Sequence, residues 1–426
     1  MLKHRIIAAS TVTAALLAAV TAASPGLAGT THMAGAANTL PGTPQATAPT
    51  AYVANESASA AKANYVSVID TATNTVVKDI LRSTQLPPLT VVITPNGKTA
   101  YVSTDGPEDG PGYVFPISTA TNKPGKRISV GVFPYVMAFT PNGKTLYVAN
   151  EQSNTVTPIS TATNTAGRPI KVGQDPQALV FAPSGKTLYV VNSPLNAASP
   201  SPGRACSFNC PGSVTPINTA TNQPGKAIPV GPTPGAAVIT PDGKTLYVAN
   251  QASGETGKGT VTPINTATGK PGKAIKAGTQ PTPMVITPNG KTVYAVDAVG
   301  GTVTPIDTAT DTAGKAIKVA SAGSDLEVAT ITPNGKTVYV GGSGSGAAGF
   351  VVPVSTATST AGKAIKVAGD PADSALTPNA ATLYVACAGD EALGAAQVVV
   401  PIDTHTGTAG KSINTGEEPL SIAITP

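Results

Sequence analysis

The sequence predicts an all-β protein, and three observations carry that prediction. Of its 426 residues, 44 are Gly and 40 are Pro, and at about 1 kcal/mol per Gly and 3 per Pro such a content opposes long helices. Runs such as Thr145-Leu146-Tyr147-Val148-Ala149-Asn150 and Thr155-Val156-Thr157-Pro158-Ile159 are short and rich in β-branched residues, as strands are. Between such runs stand Asn96-Gly97, Asn142-Gly143, Ser184-Gly185, Asp242-Gly243, Asn289-Gly290 and Asn334-Gly335, where Gly supplies the positive φ of a hairpin turn. With 41% hydrophobic residues there is apolar material for a large core, so the chain falls outside the disordered class.

The first element is a leader. Lys3 and Arg5 precede an apolar, Ala-rich run from Ile6 to Ala23, followed by Pro25 and the small residues Gly26-Leu27-Ala28. That pattern predicts a secretory signal peptide over residues 1–28, cut after Ala28. The run is long enough to reach across a bilayer, but its many Ala and Thr residues make it weakly hydrophobic and favour cleavage over anchoring. Residues 29–50, rich in Ala, Thr, Pro and Gly, read as a disordered linker. After residue 50 no stretch stays apolar long enough to span a membrane. The expected location is extracellular or cell-wall associated.

From Ala51 to Pro426 a unit of about 45 residues recurs. Its Tyr returns at Tyr52, Tyr101, Tyr147, Tyr189, Tyr247, Tyr294, Tyr339 and Tyr384, and the Pro closing its fourth strand at Pro95, Pro141, Pro183, Pro241, Pro288, Pro333, Pro378 and Pro426. Stretches such as Ile306-Asp307-Thr308-Ala309-Thr310 offer short polar side chains that bond their own backbone in a turn. A four-stranded unit cannot bury both faces alone, so units must pack on one another, and closing the series into a ring protects the edges. The chain begins on the second strand of a unit and ends on Ser421-Ile422-Ala423-Ile424-Thr425-Pro426, an innermost-type strand. Residues 51–426 are therefore expected to form an eight-bladed β-propeller of four-stranded antiparallel blades, with the N- and C-terminal strands sharing one blade. Seven blades is the alternative if one unit is irregular.

Tyr-Val-Ala-Asn at 52, 147 and 247, with Pro-Asn-Gly-Lys-Thr turns and Ile-Asp-Thr-Ala-Thr stretches, resembles the YVTN-type β-propeller repeat family of secreted and cell-surface proteins. The resemblance covers nearly all of 51–426 and implies a propeller; it also implies kinship with lactonase-like propellers. The chain departs from the pattern by placing Pro in the third strand at Pro116, Pro158, Pro216, Pro263, Pro305, Pro353 and Pro401. Lacking an N–H, these residues require the outermost strand to start late or to bulge.

Catalytic chemistry finds little to stand on. Only His4, His32 and His405 exist, and the first two lie in the leader and linker, so a Ser-His-Asp or Cys-His arrangement has one base and no indicated partner. No lactonase motif can be carried over residue by residue. No cofactor is expected: quinone-cofactor propellers typically repeat Trp, which is absent, and Gly341 to Gly349 lacks the strand, Lys and helix of a phosphate loop. Cys206 and Cys210 are expected to form a local disulfide, and Cys387 to be a buried small hydrophobe. Whether a metal binds is left open.

Charge is the informative remainder. Without Lys3 and Arg5, 25 bases face 22 acids. Loops joining second to third strands and outer to inner strands carry most of the acids, among them Glu151, Asp175, Asp297, Asp325, Glu327, Asp370, Glu417 and Glu418, the candidate ligand-binding residues. The opposite turns carry Lys98, Lys144, Lys186, Lys244, Lys291 and Lys336, and with the bases that follow the third strands they predict a basic face. The expectation is a monomeric, non-enzymatic binding or structural module. Its acidic end would take a cation, a small ligand or a surface protein, and its basic face would rest on an anionic cell-wall polymer. The alternative is a lactonase-like hydrolase with an acidic or metal-assisted site at the channel mouth. Nucleic acid is not expected, because aromatics and Arg are scarce.

Overall fold

The computed structural model describes residues 48–57, 63–107, 110–194, 211–251, 258–344, 349–389 and 397–426. The leader, nearly all of the linker, and Cys206 and Cys210 lie outside the described residues. Eight antiparallel sheets follow one another along the chain, each ordered from an inner strand outwards. We number them blades 1 to 8. Blade 3 is representative: the inner strand Pro134–Phe139 pairs with Thr145–Asn150, which pairs with Thr155–Ser160, which pairs with two short outer pieces, Thr165–Ala166 and Ile170–Lys171.

Blade 1 alone is built from both ends of the chain. Thr50–Asn55, Asn64–Asp70 and Thr75–Ser83 receive Pro419–Ile424 as their inner strand, in the register Ala51↔Ile424, Tyr52↔Ala423 and Val53↔Ile422. The eight-bladed, terminally closed ring is thus present, and no blade is irregular enough to give seven. The strand boundary begins at Thr50, inside the stretch expected as linker.

No single core unites the ring. Among the described residues the apolar clusters number eight, each shared by two neighbouring blades: Tyr147, Ala149, Val156 and Ile170 of blade 3 pack with Leu188, Val190 and Ile217 of blade 4. The closing interface obeys the same rule, with Tyr384, Ala386, Val399 and Ile413 of blade 8 against Ala51, Val53, Ile69 and Ile422 of blade 1.

The repeated Tyr and Pro both work between blades. Tyr101 Oη donates to Asn164 Oδ1 of the next blade at 2.6 Å, Tyr147 to Asn222 at 2.6 Å, and Tyr384 of blade 8 to Asn74 of blade 1. Those Asn residues occupy a left-handed backbone position (φ 53° at both Asn74 and Asn164) in the turn after the third strand. In most blades the Pro ending the inner strand lies under the turn glycine of the next blade, so closely that a Cβ on Gly143 would stand 3.0 Å from Pro95 Cδ. Pro426, the last residue, sits in the same way under Gly97.

The third-strand prolines split the outer strand. Pro158 pairs with Tyr147 on its inner side, while outside it the ladder is interrupted and Gly167 N–H donates to the Pro158 carbonyl at 2.7 Å. Blade 1 supplies the control. Val68 stands at the proline position, and the outer strand runs unbroken from Thr75 to Ser83.

Candidate functional site

The inner strands carry a feature the sequence does not announce. In every blade but the sixth the register slips by one residue near the start of the inner strand: Pro134 faces Asn150 and Val136 faces Ala149, leaving Tyr135 as an extra residue. The same slip leaves Leu89, Gln177, Gly235, Glu327, Ala372 and Leu420 unpaired in their blades. Bulges re-aim side chains at the rims of closed sheets, and here all of them fall at the end of the blades where the inner strands begin. Just before the inner-strand prolines, Phe133 (φ 55°), Asp175 (φ 48°), Thr233 (φ 44°) and Glu418 (φ 37°) hold the left-handed backbone that non-glycine residues avoid.

All eight candidate acids lie at this end, and the structure sorts them into smaller groups. Glu151, 8% exposed, is hydrogen-bonded by the bulged Gln177 and lies near Asp175; burial first, and the Asp175 charge second, push its carboxyl up to about 7. Asp325, Glu327 and Asp370 form a second group between blades 7 and 8. Burial, then Asp370 and Asp325, drive Glu327 up to about 9, so it is protonated at neutral pH, and burial also raises Asp325. Glu417 and Glu418 belong to a third group with Glu56, at the boundary of blades 8 and 1. Ser57 Oγ donates to Glu417 at 2.7 Å, and Glu56 N–H donates to the Glu418 carbonyl at 3.2 Å.

Asp297 has a different employment. Buried at the end of its strand, where blades 1, 3, 4 and 5 have Asn, it accepts the Thr279 and Gln280 backbone amides at 3.0 and 2.9 Å. A buried acid outside the candidate set is Asp373, on the inner strand of blade 8. It accepts Ile422 N–H of the closing strand at 2.9 Å and Ser374 N–H at 2.7 Å, and burial nevertheless pushes it up to about 7. Its signal was an acid inside an apolar strand. Among the described residues no three His, Cys, Asp or Glu side chains converge closely enough to share a metal. Cys387 is wholly buried and its thiol pKa is raised by burial, as expected of a small apolar residue.

The cations are not where the turns alone would put them. The six lysines of the inner hairpin turns share their end with Asp70, Asp242, Asp307, Asp311 and Asp403, which leaves that end only weakly positive. Most other bases lie along the outer strands and in their breaks, from Lys123 and Lys270 opposite the last residues of third strands, Ser118 and Asn265, to Lys171, Lys276 and Lys318 opposite the first residues, Thr155, Thr260 and Thr302. They are Lys78 and Arg82 in blade 1, Lys123, Lys126 and Arg127 in blade 2, Arg168 and Lys171 in blade 3, and Lys226 in blade 4. Lys270, Lys273 and Lys276 in blade 5, Lys315 and Lys318 in blade 6, Lys363 and Lys366 in blade 7 and Lys411 in blade 8 complete the set. All are exposed, and in those strands only Asp79 opposes them. The expected basic face is a basic belt around the circumference.

No family model and no curated protein matches the chain. Solved structures do. Dihydro-heme d1 dehydrogenase NirN in complex with DHE is similar with a TM-score of 0.65 at 13% identity, covering 88% of this chain and 75% of that one. Hydrazine synthase from Kuenenia stuttgartiensis gives 0.56 at 22% identity, covering 74% and 95%. A candidate 6-phosphogluconolactonase from Bacteroides fragilis gives 0.55 at 16% identity, covering 90% and 100%. At these identities the likeness speaks to the fold alone, a β-propeller.

Proposed function

We propose that the chain is a secreted, YVTN-type propeller that works at the cell surface as a non-enzymatic binding module, holding anionic cell-wall polymer along its outer belt. The observation that supports this reading is the belt itself: exposed bases on the outer strands of all eight blades, opposed by Asp79 alone. A flexible polyanion laid around the disk meets a cation at nearly every blade, so weak contacts add by multivalency. Lysines on edge strands also keep sheets from pairing edge to edge, and that is the competing explanation.

Sedimentation with purified anionic wall polymer tests the reading. Retention should fall steeply as salt rises and should be lost when Lys171, Lys276, Lys318 and Lys366 are changed to Glu. Retention indifferent to both overturns it. If Lys→Gln changes at the same positions make the protein self-associate while retention persists, the lysines guard edges and nothing more.

A hydrolase reading has one observation in its favour, the Glu327 carboxyl, which burial and then the charges of Asp370 and Asp325 push up to about 9, as suits a general acid. Turnover of a sugar lactone that disappears in Glu327→Gln would establish it.

A further inference from the structure

We propose that the cleft between the last and first blades is a binding site for a neutral carbohydrate. It lies at the carboxylate end, has a volume of about 720 Å3, and is lined by Asn55, Glu56, Tyr65 and Arg82 of blade 1, and by Gln397 and Glu417 among the residues from the blade 8 side. That volume falls in the range of small-molecule pockets.

The cleft exists because the repeat is broken here. In blades 3, 4 and 5 the loop glycine arriving from the preceding blade, Gly131, Gly173 or Gly231, presses on the Asn at the end of the second strand; a Cβ there would come within 2.6 to 2.7 Å of Asn150, Asn192 or Asn250. At the closing joint the corresponding Gly416, at φ +123°, packs on the Tyr65 hydroxyl instead, and the space over Asn55 opens.

Polar chemistry chooses the ligand class. Among the described residues Gln397 Nε2, buried in a cleft-lining side chain, has no hydrogen-bond partner, and Asn55 Oδ1, in a side chain 1% exposed, likewise has none. Unpaired acceptors also occur at Asn192 and Asn250, so Asn55 follows its repeat, whereas the orphaned amide donor of Gln397 belongs to this joint. An unmade buried hydrogen bond costs about 1 to 3 kcal/mol, which a ligand acceptor would recover. Glu56 and Glu417 line the same cleft as Arg82, whose guanidinium is stacked 4.9 Å from the Tyr65 ring centre and lies 3.5 Å from Asp79. Opposite signs and amides in one cleft disfavour a strongly charged guest. Vicinal hydroxyls, each both donor and acceptor, answer such a lining.

Isothermal titration of the full chain with maltose, cellobiose and N,N′-diacetylchitobiose, beside glucuronate and spermidine as charged comparators, tests the site. At least one neutral disaccharide should bind saturably, with an affinity unchanged between low and high salt. That salt behaviour separates this site from the belt. Gln397→Ala should weaken binding about tenfold, as loss of a hydrogen bond does. The same variant should melt no lower than the parent, since it removes a donor that the free protein leaves unpaired. Binding of none of the three sugars, binding of spermidine or glucuronate alone, or sugar binding unaffected by both Gln397→Ala and Glu417→Ala overturns the proposal.

Discussion

Truncating Ile422 to Ala measures how firmly the ring is closed. Ile422 is 3% exposed, pairs with Val53, donates its N–H to Asp373, and packs with residues of blades 8 and 1. Met137, 4% exposed, occupies the same inner-strand position in blade 3, whose strands are consecutive in the chain. Removing such a buried side chain to Ala costs about 2 to 5 kcal/mol where neighbours cannot collapse into the gap. If the closing strand is docked as tightly as an interior one, Ile422→Ala and Met137→Ala should cost similar amounts, about 3 kcal/mol each. For a ring of this size the unfolding entropy is on the order of 0.8 kcal/mol/K, so each Tm should fall by about 4 °C. Urea melts of the two variants, compared at equal slope, give the same quantity without extrapolation in temperature. A cost below about 0.5 kcal/mol for Ile422→Ala beside the full cost for Met137→Ala would mean that the strand frays in solution, and the closure argument would fail.

Tyr101→Phe should lose about 1 kcal/mol by forfeiting its bond to Asn164, whereas Tyr339→Phe, whose hydroxyl reaches only the Thr404 carbonyl at 3.3 Å, should lose less; chemical denaturation compares them. Ala380 holds φ 54° where other turns have Gly, so Ala380→Gly should raise stability by about 0.5 to 1 kcal/mol, and an unchanged or lower Tm counts against strain there. Folding raises Asp373 from 3.8 to about 7, so the folded state holds its proton more tightly: stability is full below pH 3.8, declines as pH climbs towards 7, and is flat above. The span is on the order of 4 kcal/mol, and Asp373→Asn should remove most of that slope from a series of melts across pH; a parent whose stability climbs through this window would refute the assignment. Cys387, wholly buried, should resist a thiol reagent in the native protein and react only after denaturant is added; rapid native labelling would contradict its burial.

The architecture was legible because turn chemistry and strand composition repeat in register: Asn142-Gly143 and its copies mark one hairpin, and Tyr147 and its copies mark the second strand. The terminal strand shared by the two chain ends was legible too, from where the repeat starts and stops. Two features were hidden for physical reasons. The slip beside Tyr135 and Glu327 leaves no compositional trace, because the extra residue in a bulge can be of any type, yet it re-aims side chains at the end of the blades where the inner strands begin. The position of Arg168 and its counterparts was misjudged because Pro158 breaks the outer strand, moving the bases that follow from a turn to the rim. At the candidate site, the acids lie at the end of the blades where the inner strands begin. Their grouping depends on packing between blades: Glu151 meets Gln177, and Asp297 is spoken for by backbone amides.

The tyrosine contacts all point the same way around the ring, each blade reaching for the next, and they are unequal. The partner turn offers a carboxamide or carboxylate at Asn74, Asn122, Asn164, Asn222 and Asp311, but the corresponding positions at Gly269, Ser359 and Gly407 do not. There the hydroxyl meets Thr266, Ser359 or the Thr404 carbonyl instead, so under tension such a circle should behave like a bracelet with three weaker links, those joining blades 4 to 5, 6 to 7 and 7 to 8. Pulled apart in an optical trap, or cut and rejoined as a permuted chain, it should give way at those links before the strands within any blade separate.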